Sequence, residues 1–328
     1  MQFFERPFPS GNVTLIRGRR PILIDTGFGS DLPSLERLLR DAGTSPEELA
    51  LVVNTHYHAD HVGGNYGLQT RYGVQIAAHR WEAELVNRRD PEACSVAWLN
   101  QSVEPYHVDR MLSEGDEIDA GGVRLQVLHI PGHTLGHVAL YAPDDQVLIS
   151  GDAVFKNDVS WVNPFREGVG ALRRTIEALE RLGELPARIV CPGHGPPIQD
   201  LPGAVAVSIR RYEKWLANPV LLAWHAGKRI FAYGLMVTNG RDEEEVASYL
   251  LSCPWFQDYC WSYFEQDPSA FVEPFLAEMR SSGVATWRDG RVAAVTTFDP
   301  PPPNWLTGPD KPSNWPPADL SPEISKCS

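Results

Sequence analysis

The stretch "NTHYHADHVGG", residues 54–64, places three histidines and one aspartate within six consecutive positions. Imidazole nitrogens and carboxylate oxygens are common protein ligands of first-row metal ions. With only 10 histidines in the chain, this spacing is rare by chance. The pattern His56-x-His58-x-Asp60-His61 therefore predicts part of a metal site rather than a polar loop. One short loop seldom completes a catalytic metal centre, so other segments must supply further ligands.

Three later segments share one form, in which a predicted strand ends at a tight turn that carries one ligand-type side chain. These segments are "PGHTLGH" with His133, "LISGDAVF" with Asp152, and "CPGHGPP" with His194. A ligand that directly follows a buried strand has a fixed backbone, and a neighbouring glycine lets the chain approach a metal closely. We therefore expect these three side chains to meet the histidine cluster.

The surrounding sequence predicts an α/β domain. Between residues 13 and 191, short β-rich runs alternate with helical stretches such as "LPSLERLLRDAG" and "ALRRTIEALERLG". This alternation is typical of α/β domains whose loops carry the chemistry. We expect the catalytic domain to span residues 1–205.

The rest of the chain predicts a smaller, mainly helical unit and a tail. Three helical stretches, the first being "VSIRRYEKWLANPVLLAWHAG", precede a hairpin that turns at Asp289-Gly290, a favoured two-residue turn. We expect an accessory domain over residues 206–298, which forms a wall or lid over the active site or makes a homodimer contact. The tail, residues 299–328, is too proline-rich for regular structure.

Composition excludes several function classes. The chain has 328 residues and a formal net charge of −13, which argues against binding to nucleic acid or to an anionic membrane. No apolar run reaches the roughly 20 residues that cross a bilayer, and the N-terminus lacks a signal-peptide pattern. The five cysteines include no C-x-x-C pair, so we expect no disulfides and a cytoplasmic location.

The motifs "THYHADHVGG", "PGHTLGH", "SGD" and "PGHG", in this order and preceded by "LIDTG", resemble the metallo-β-lactamase superfamily over residues of about 10–200. The resemblance implies an αβ/βα sandwich with two divalent metal ions at one edge, usually zinc, with iron or manganese as alternatives. It implies one site from His56, His58 and His133, a second from Asp60, His61 and His194, and Asp152 as the bridge between them.

Two divalent ions that share a water would lower its pKa from about 15.7 towards 7 and so produce a hydroxide at neutral pH. Asp60 could accept or orient the proton, which makes it the candidate catalytic residue. No G-x-S-x-G elbow suggests a serine nucleophile. Three aromatic residues near the ligands, Tyr57, Phe155 and Trp161, are candidates for lining a substrate pocket. The roles of two further residues are left open. His137 is expected either behind the metal ions or in a structural role, and Asp25 is expected either to lie behind the site or to stabilise a turn.

The resemblance is compatible with several reactions, and other features of the sequence argue against some of them. True β-lactamases generally have another residue type where this chain has Asp152. The acidic balance disfavours an RNase or other phosphodiesterase, and the C-terminal region has no clear basic cluster for glutathione. That region weakly resembles a winged helix, but its would-be recognition helix, "PSAFVEPFLAEMRSSG", carries one basic and two acidic residues. A persulfide-dioxygenase-like activity needs one iron, whereas all seven ligands are present here. The favoured hypothesis is a dinuclear hydrolase that opens a thioester or lactone in a small acyl substrate.

Overall fold

Two stacked β-sheets form the centre of the molecule in the computed structural model, which describes residues 1–303 and 305–306. The first sheet has six strands in chain order: β1 (Gln2–Phe4), β2 (Val13–Ile16), β3 (Ile22–Ile24), β4 (Leu51–Val53), β5 (Ile76–His79) and β6 (Arg110–Leu112). The second has five: β7 (Glu117–Asp119), β8 (Arg124–His129), β9 (Val138–Ala142), β10 (Val147–Gly151) and β11 (Ile189–Pro192).

Each sheet combines antiparallel and parallel pairs. Strands β1 to β3 pair antiparallel, whereas β3 to β6 pair parallel. Strands β7 to β10 pair antiparallel, and β10 and β11 pair parallel. Because β3 and β4 are parallel, and β8, β10 and β11 run in one direction, the loops that follow them leave their sheets at a common edge. The predicted ligands lie on these loops.

Alternating side chains bury both faces of each sheet. In β3, Ile22 and Ile24 pack between the sheets, while Leu23 packs against the outer helices. In β9, Leu140 lies between the sheets and Tyr141 on the outer face. This arrangement is the four-layer αβ/βα sandwich that the family resemblance implied.

Helices cover the outer faces. On the first sheet these are α1 (Leu32–Asp41), α2 (Ala59–Val62), α3 (Asn65–Tyr72), α4 (Arg80–Asn87) and α5 (Val96–Leu99). In the second half of the sandwich, α6 (Pro164–Glu167) and α7 (Ala171–Gly183) lie in the chain between β10 and β11. The amphipathic stretches predicted to be helical are confirmed as α1 and α7. In α7 the apolar side chains at helical spacing, such as Leu172 and Leu179, are buried.

The C-terminal region is helical with a small sheet. It comprises α8 (Leu201–Ala217), α9 (Pro219–Val237), β12 (Arg241–Asp242), α10 (Glu243–Ser252), α11 (Pro254–Tyr259), a π-helical turn (Cys260–Phe264), α12 (Pro268–Ser281), β13 (Ala285–Arg288) and β14 (Arg291–Ala294). The three strands pair in the order β12-β14-β13. Asp267 caps α12, since its Oδ1 accepts a hydrogen bond of 2.8 Å from the Ser269 amide.

The expectation of one helix over residues 207–227 was wrong. The chain breaks at Asn218, whose φ of −142° and ψ of 87° are extended. The physical reason is Pro219, which disfavours helical geometry in the residue before it and begins a new helix at its own first position. The change in composition at residue 206 falls inside α8, so it does not coincide with the end of a helix.

The C-terminal helices pack directly against the segments that carry the site. Tyr212 and Trp215 of α8 belong to the same buried cluster as Leu179 of α7. Helices α9 to α12 form their own cluster, and Trp161 from the loop after β10 and Phe165 of α6 pack against it. One wall of any cavity above the ligand loops must therefore come from α9.

The β13–β14 hairpin turns at Asp289 and Gly290, as predicted, with φ of 52° and 73°. An L-residue with a Cβ pays about 1 kcal/mol in this left-handed region. We therefore expect Gly290→Ala to lower the free energy of unfolding by about 1 kcal/mol, measured by urea denaturation. Gly290→Asn is the matched control and should lose less, because asparagine tolerates this region. Equal losses in the two variants would contradict the backbone explanation.

The segment after β14 returns to the N-terminal half of the chain. The Asp299 amide donates a 2.7 Å hydrogen bond to the Phe8 carbonyl, and Trp305 packs on the core beneath the first sheet. The remainder of the predicted tail, including Cys327, lies outside the described residues. Cys94, Cys191, Cys253 and Cys260 are free thiols. Within the described residues, no helix combines the length and apolar character needed to cross a membrane.

Candidate active site

The histidine-rich loop connects β4 to the short helix α2. His56 and His58 lie before the helix, and Asp60 and His61 lie in it. The His61 amide donates to the His58 carbonyl over 2.9 Å. The chain folds back on itself here, so all four side chains point towards the same space.

A first group of three imidazoles meets at the edge of the sandwich. His133, from the loop between β8 and β9, brings its Nε2 to 2.9 Å from His58 Nδ1 and 3.2 Å from His56 Nε2. All three rings are buried. The structure thus brings together His56, His58 and His133 from two distant segments.

A second group lies beside the first. His194, which follows β11, places its Nε2 3.1 Å from Asp60 Oδ2, and His61 Nε2 lies 3.9 Å from the same oxygen. Asp152, which follows β10, lies between the groups. Its Oδ1 is 3.3 Å from His61 Nε2, and its Oδ2 is 3.7 Å from both His133 and His194. All seven side chains that the sequence singled out as ligands therefore converge.

Two observations indicate that this cluster is suited to hold metal ions. His61 Nε2 and Asp152 Oδ1 are buried, and neither makes a hydrogen bond of acceptable geometry within the described residues. Buried polar atoms seldom remain unpaired in native proteins. In addition, a Cβ on Gly193 would lie 2.1 Å from Asp152 Oδ1, so only glycine leaves room for the carboxylate there. Nitrogen and oxygen donors in this number suit zinc, iron or manganese.

The electrostatics keep His56, His58 and Asp152 in the forms that metals require. Burial, together with the neighbouring imidazoles, lowers the pKa of His56, and it lowers the pKa of His58 to about 3. These rings are thus neutral with free lone pairs. Burial would raise the pKa of Asp152, but His194 and His61 outweigh it and lower the pKa below its ordinary value. Asp152 is accordingly an anion.

Asp25 lies behind both groups, which favours a role behind the site over one that only stabilises a turn. Its Oδ2 accepts hydrogen bonds from His61 Nδ1 at 2.8 Å and from Thr55 Oγ1 at 2.7 Å, and its Oδ1 accepts from the Thr55 amide at 2.8 Å. Thr55 Oγ1 also lies 3.1 Å from His56 Nδ1. A carboxylate that holds the far nitrogen of an imidazole fixes its tautomer and orientation.

His137 is close to the cluster without joining it. Its ring is 5.0 Å from the ring of His56 and is buried. It belongs to none of the ligand groups found among the described residues. A Cβ on Gly151 would lie 2.6 Å from its Nε2, so His137 fills space behind the metal-facing histidines.

A cavity of about 600 Å³ opens from the ligands towards α9. Phe155 and Trp161 line it, and the Trp161 ring stacks on His58 at 5.5 Å. Tyr57 does not line it. The Tyr57 side chain is 3% exposed and packs in the core under the first sheet, because its neighbours His56 and His58 turn towards the metal side.

The cavity also has a basic wall that the sequence analysis missed. Lys156, Lys228 and Arg229 line the cavity. The salt bridges from Lys228 to Glu278 and from Arg229 to Asp158 offset part of their charge. A signal was present in the sequence, because Lys228 and Arg229 are the two charged residues in the otherwise uncharged α9. Only the folded chain shows that they reach the ligand loops.

The sequence of this chain is similar to those of known proteins. The family model of the metallo-beta-lactamase superfamily matches residues 6–194. The chain is 32% identical over 209 residues to acyl-coenzyme A thioesterase MBLAC2 of Bos taurus, covering 54% of this chain and 72% of that protein. It is 30% identical over 169 residues to the hydroxyacylglutathione hydrolase of Hyphomonas neptunium, covering 52% of this chain and 54% of that protein.

Solved structures agree on the fold. The metallo-beta-lactamase family protein TTHA1429 from Thermus thermophilus superposes with a TM-score of 0.54 at 22% identity, over 89% of this chain and 98% of that one. That likeness extends the shared architecture into the C-terminal region. By its motifs, its sandwich fold and the family match over more than half its length, this chain belongs to the metallo-β-lactamase superfamily.

Proposed function

We propose that this protein is a metal-dependent thioesterase that hydrolyses acyl-coenzyme A. The observation that carries the proposal is a single cavity in which the ligand cluster, an apolar wall and a basic wall meet. A thioester of coenzyme A has three matching parts: a reactive carbonyl, an apolar acyl chain and a carrier with phosphates. The similarity to an acyl-coenzyme A thioesterase over 72% of its length supports the same assignment.

The seven side chains would hold two divalent ions, with His56, His58 and His133 on one side, Asp60, His61 and His194 on the other, and Asp152 between them. When bound, such ions lower the pKa of water and polarise a carbonyl oxygen. We assign the role of proton acceptor to Asp60. Burial would raise the pKa of Asp60, but His61 and His194 lower it, so Oδ2 is ionised and able to take a proton from the attacking water.

The cavity walls hold the two ends of the substrate. Phe155 and Trp161 offer apolar surface next to the ligands, where an acyl chain is held and bulk water excluded. Lys228 and Arg229 lie on α9, where the phosphates of the carrier form charge-assisted hydrogen bonds with them. Specificity then comes from the acyl end and the carrier end together.

Hydrolysis of glutathione thioesters is the second candidate, and the similarity to hydroxyacylglutathione hydrolases favours it. Glutathione carries carboxylates rather than phosphates. Both anions can pair with lysine and arginine, so the carrier has to be identified by measurement.

The test is a substrate panel on purified protein whose metal content has been determined. The panel contains acyl-coenzyme A of several chain lengths, S-lactoylglutathione, a homoserine lactone, bis-p-nitrophenyl phosphate and glutathione persulfide. We expect the highest kcat/KM for an acyl-coenzyme A, followed as released thiol. Turnover of the phosphodiester alone would overturn the thioesterase proposal. One iron per chain with oxygen uptake on the persulfide would replace it with an oxidative reaction.

Lys228→Gln tests the basic wall. Loss of one charged hydrogen bond is expected to raise KM for acyl-coenzyme A about tenfold with little change in kcat. The same acyl group on N-acetylcysteamine, which has no phosphates, should show an unchanged KM. Lys214→Gln, on the exposed side of α8, is the matched control. Equal effects on the two thioesters would show that Lys228 does not contact the carrier.

A further inference from the structure

The orientation of His133 depends on a segment that has no regular structure. Its Nδ1 lies 2.7 Å from the Trp161 carbonyl and 2.8 Å from Ser160 Oγ. A ring N–H that donates to these oxygens leaves Nε2 unprotonated and turned towards His56 and His58. Residues 158–163 belong to neither a helix nor a strand. The segment that orients His133 must therefore be fixed by contacts from elsewhere.

Helix α8 supplies the most buried of those contacts. Tyr212 is 0% exposed, and its hydroxyl donates a 3.0 Å hydrogen bond to the Ser160 carbonyl. Val159 and Ser160 are themselves buried. The hydrogen bond thus crosses from the C-terminal helices to the ligand loop through a region without solvent, where polar groups are costly to leave unpaired.

The other contacts from the C-terminal helices are more exposed. Arg229 and Arg211 both pair with Asp158, whose side chain is 45% exposed. Exposed ion pairs contribute little to holding a fixed geometry. His225 Nε2 lies 3.2 Å from the Val159 carbonyl, one residue before the contact of Tyr212. Among these contacts, the tyrosine is the one that reaches the residue bonded to His133.

We propose that Tyr212 is a positioning residue for the metal site, acting through Ser160 and Trp161 on His133. The C-terminal helices then do more than form a wall of the cavity. They set the orientation of one ligand of the first group. The inference concerns metal binding, so it stands apart from the identity of the substrate.

The experiment is a zinc titration of the full-length, metal-free Tyr212→Phe variant against a chromogenic chelator. We expect one of the two zinc equivalents to bind about tenfold more weakly than in wild type, in line with the loss of other groups that orient metal ligands. Ser160→Ala, which removes one acceptor from His133 Nδ1, should weaken the same equivalent. By NMR, the Nδ1 proton of His133 should exchange faster with solvent in Tyr212→Phe than in wild type.

Tyr259→Phe is the matched control. The Tyr259 hydroxyl is equally buried but makes no hydrogen bond within the described residues, so its removal should leave both zinc affinities unchanged. Wild-type affinity within twofold and an unchanged His133 proton in Tyr212→Phe would overturn the proposal. If that variant does not fold in plain buffer, the titration is repeated in sucrose, which favours the compact state. The zinc affinities of Tyr212→Phe and wild type are then compared under that condition, with the same criterion. A wild-type protein inactive on every thioester would defeat the proposed function and leave this result intact.

Discussion

Asp152→Asn is expected to lower kcat/KM for the best thioester by at least about 10³-fold. Among the residues that the structure describes, Asp152 is the one carboxylate within 3.7 Å of ligand nitrogens from both groups, His133 in the first and His194 in the second, and it lies 3.3 Å from His61. The amide keeps the size of the side chain but removes the negative charge shared between the two groups. A metal pair supplies several kcal/mol of transition-state stabilisation, and each 1.36 kcal/mol is a factor of ten in rate.

The measurement combines steady-state kinetics with elemental analysis. We expect Asp152→Asn to retain fewer than two zinc ions per chain after dialysis while its far-UV circular dichroism remains that of wild type. Asp145→Asn, on the exposed turn between β9 and β10, is the control and should keep full activity and metal content. A variant at Asp152 with two zinc ions and wild-type turnover would show that this carboxylate does not bridge the groups.

The part of the site that could be predicted from sequence is the part encoded locally. Four ligands lie within six residues, and His133, Asp152 and His194 each follow a strand at a glycine- or proline-containing turn. Strand ends in a sandwich with parallel pairs collect at one edge, so short motifs in the right order are enough to place such residues near one another.

What could not be predicted depends on packing between distant segments. Lys228 and Arg229 reach the cavity only because α9 crosses above the ligand loops, and no local pattern encodes that crossing. Tyr57 lies between two metal-facing histidines in the sequence, yet its side chain points into the core. The break at Asn218 could have been foreseen from Pro219, since the rule involved is local.

The contacts of the residues behind the ligands also depend on packing between distant segments. Asp25 and Thr55 lie at the ends of neighbouring strands, and their hydrogen bonds link His56 of the first group to His61 of the second. The two groups of ligands therefore share one support. A change at Asp25 should disturb both groups, whereas a change at Tyr212 should disturb His133 alone.

Asp25→Ala is expected to lower the free energy of unfolding of the metal-free protein by about 4 kcal/mol. The Thr55 amide, Thr55 Oγ1 and His61 Nδ1 all lose their acceptor, and each buried donor left unpaired costs about 1–3 kcal/mol. Alanine is also strained at the φ of 60° found here, by about 1 kcal/mol. Affinity for both zinc equivalents should fall about 10–100-fold, because His56 and His61 lose the groups that orient them.

Asp25→Asn separates the loss of hydrogen bonds from the backbone strain. Asparagine tolerates this backbone region, so the strain is absent. The carboxylate of Asp25 accepts hydrogen bonds from three groups, and the NH₂ of asparagine would face at least one of these donors with a donor of its own. We expect a smaller loss of stability than in Asp25→Ala and still a weaker affinity for both zinc equivalents of the titration, measured by urea unfolding and chelator competition. Asp41→Ala, at the exposed end of α1, should stay within about 0.5 kcal/mol of wild type. If Asp25→Ala behaved like Asp41→Ala in both measurements, or if only one zinc equivalent weakened, Asp25 would not be the shared support of the two groups.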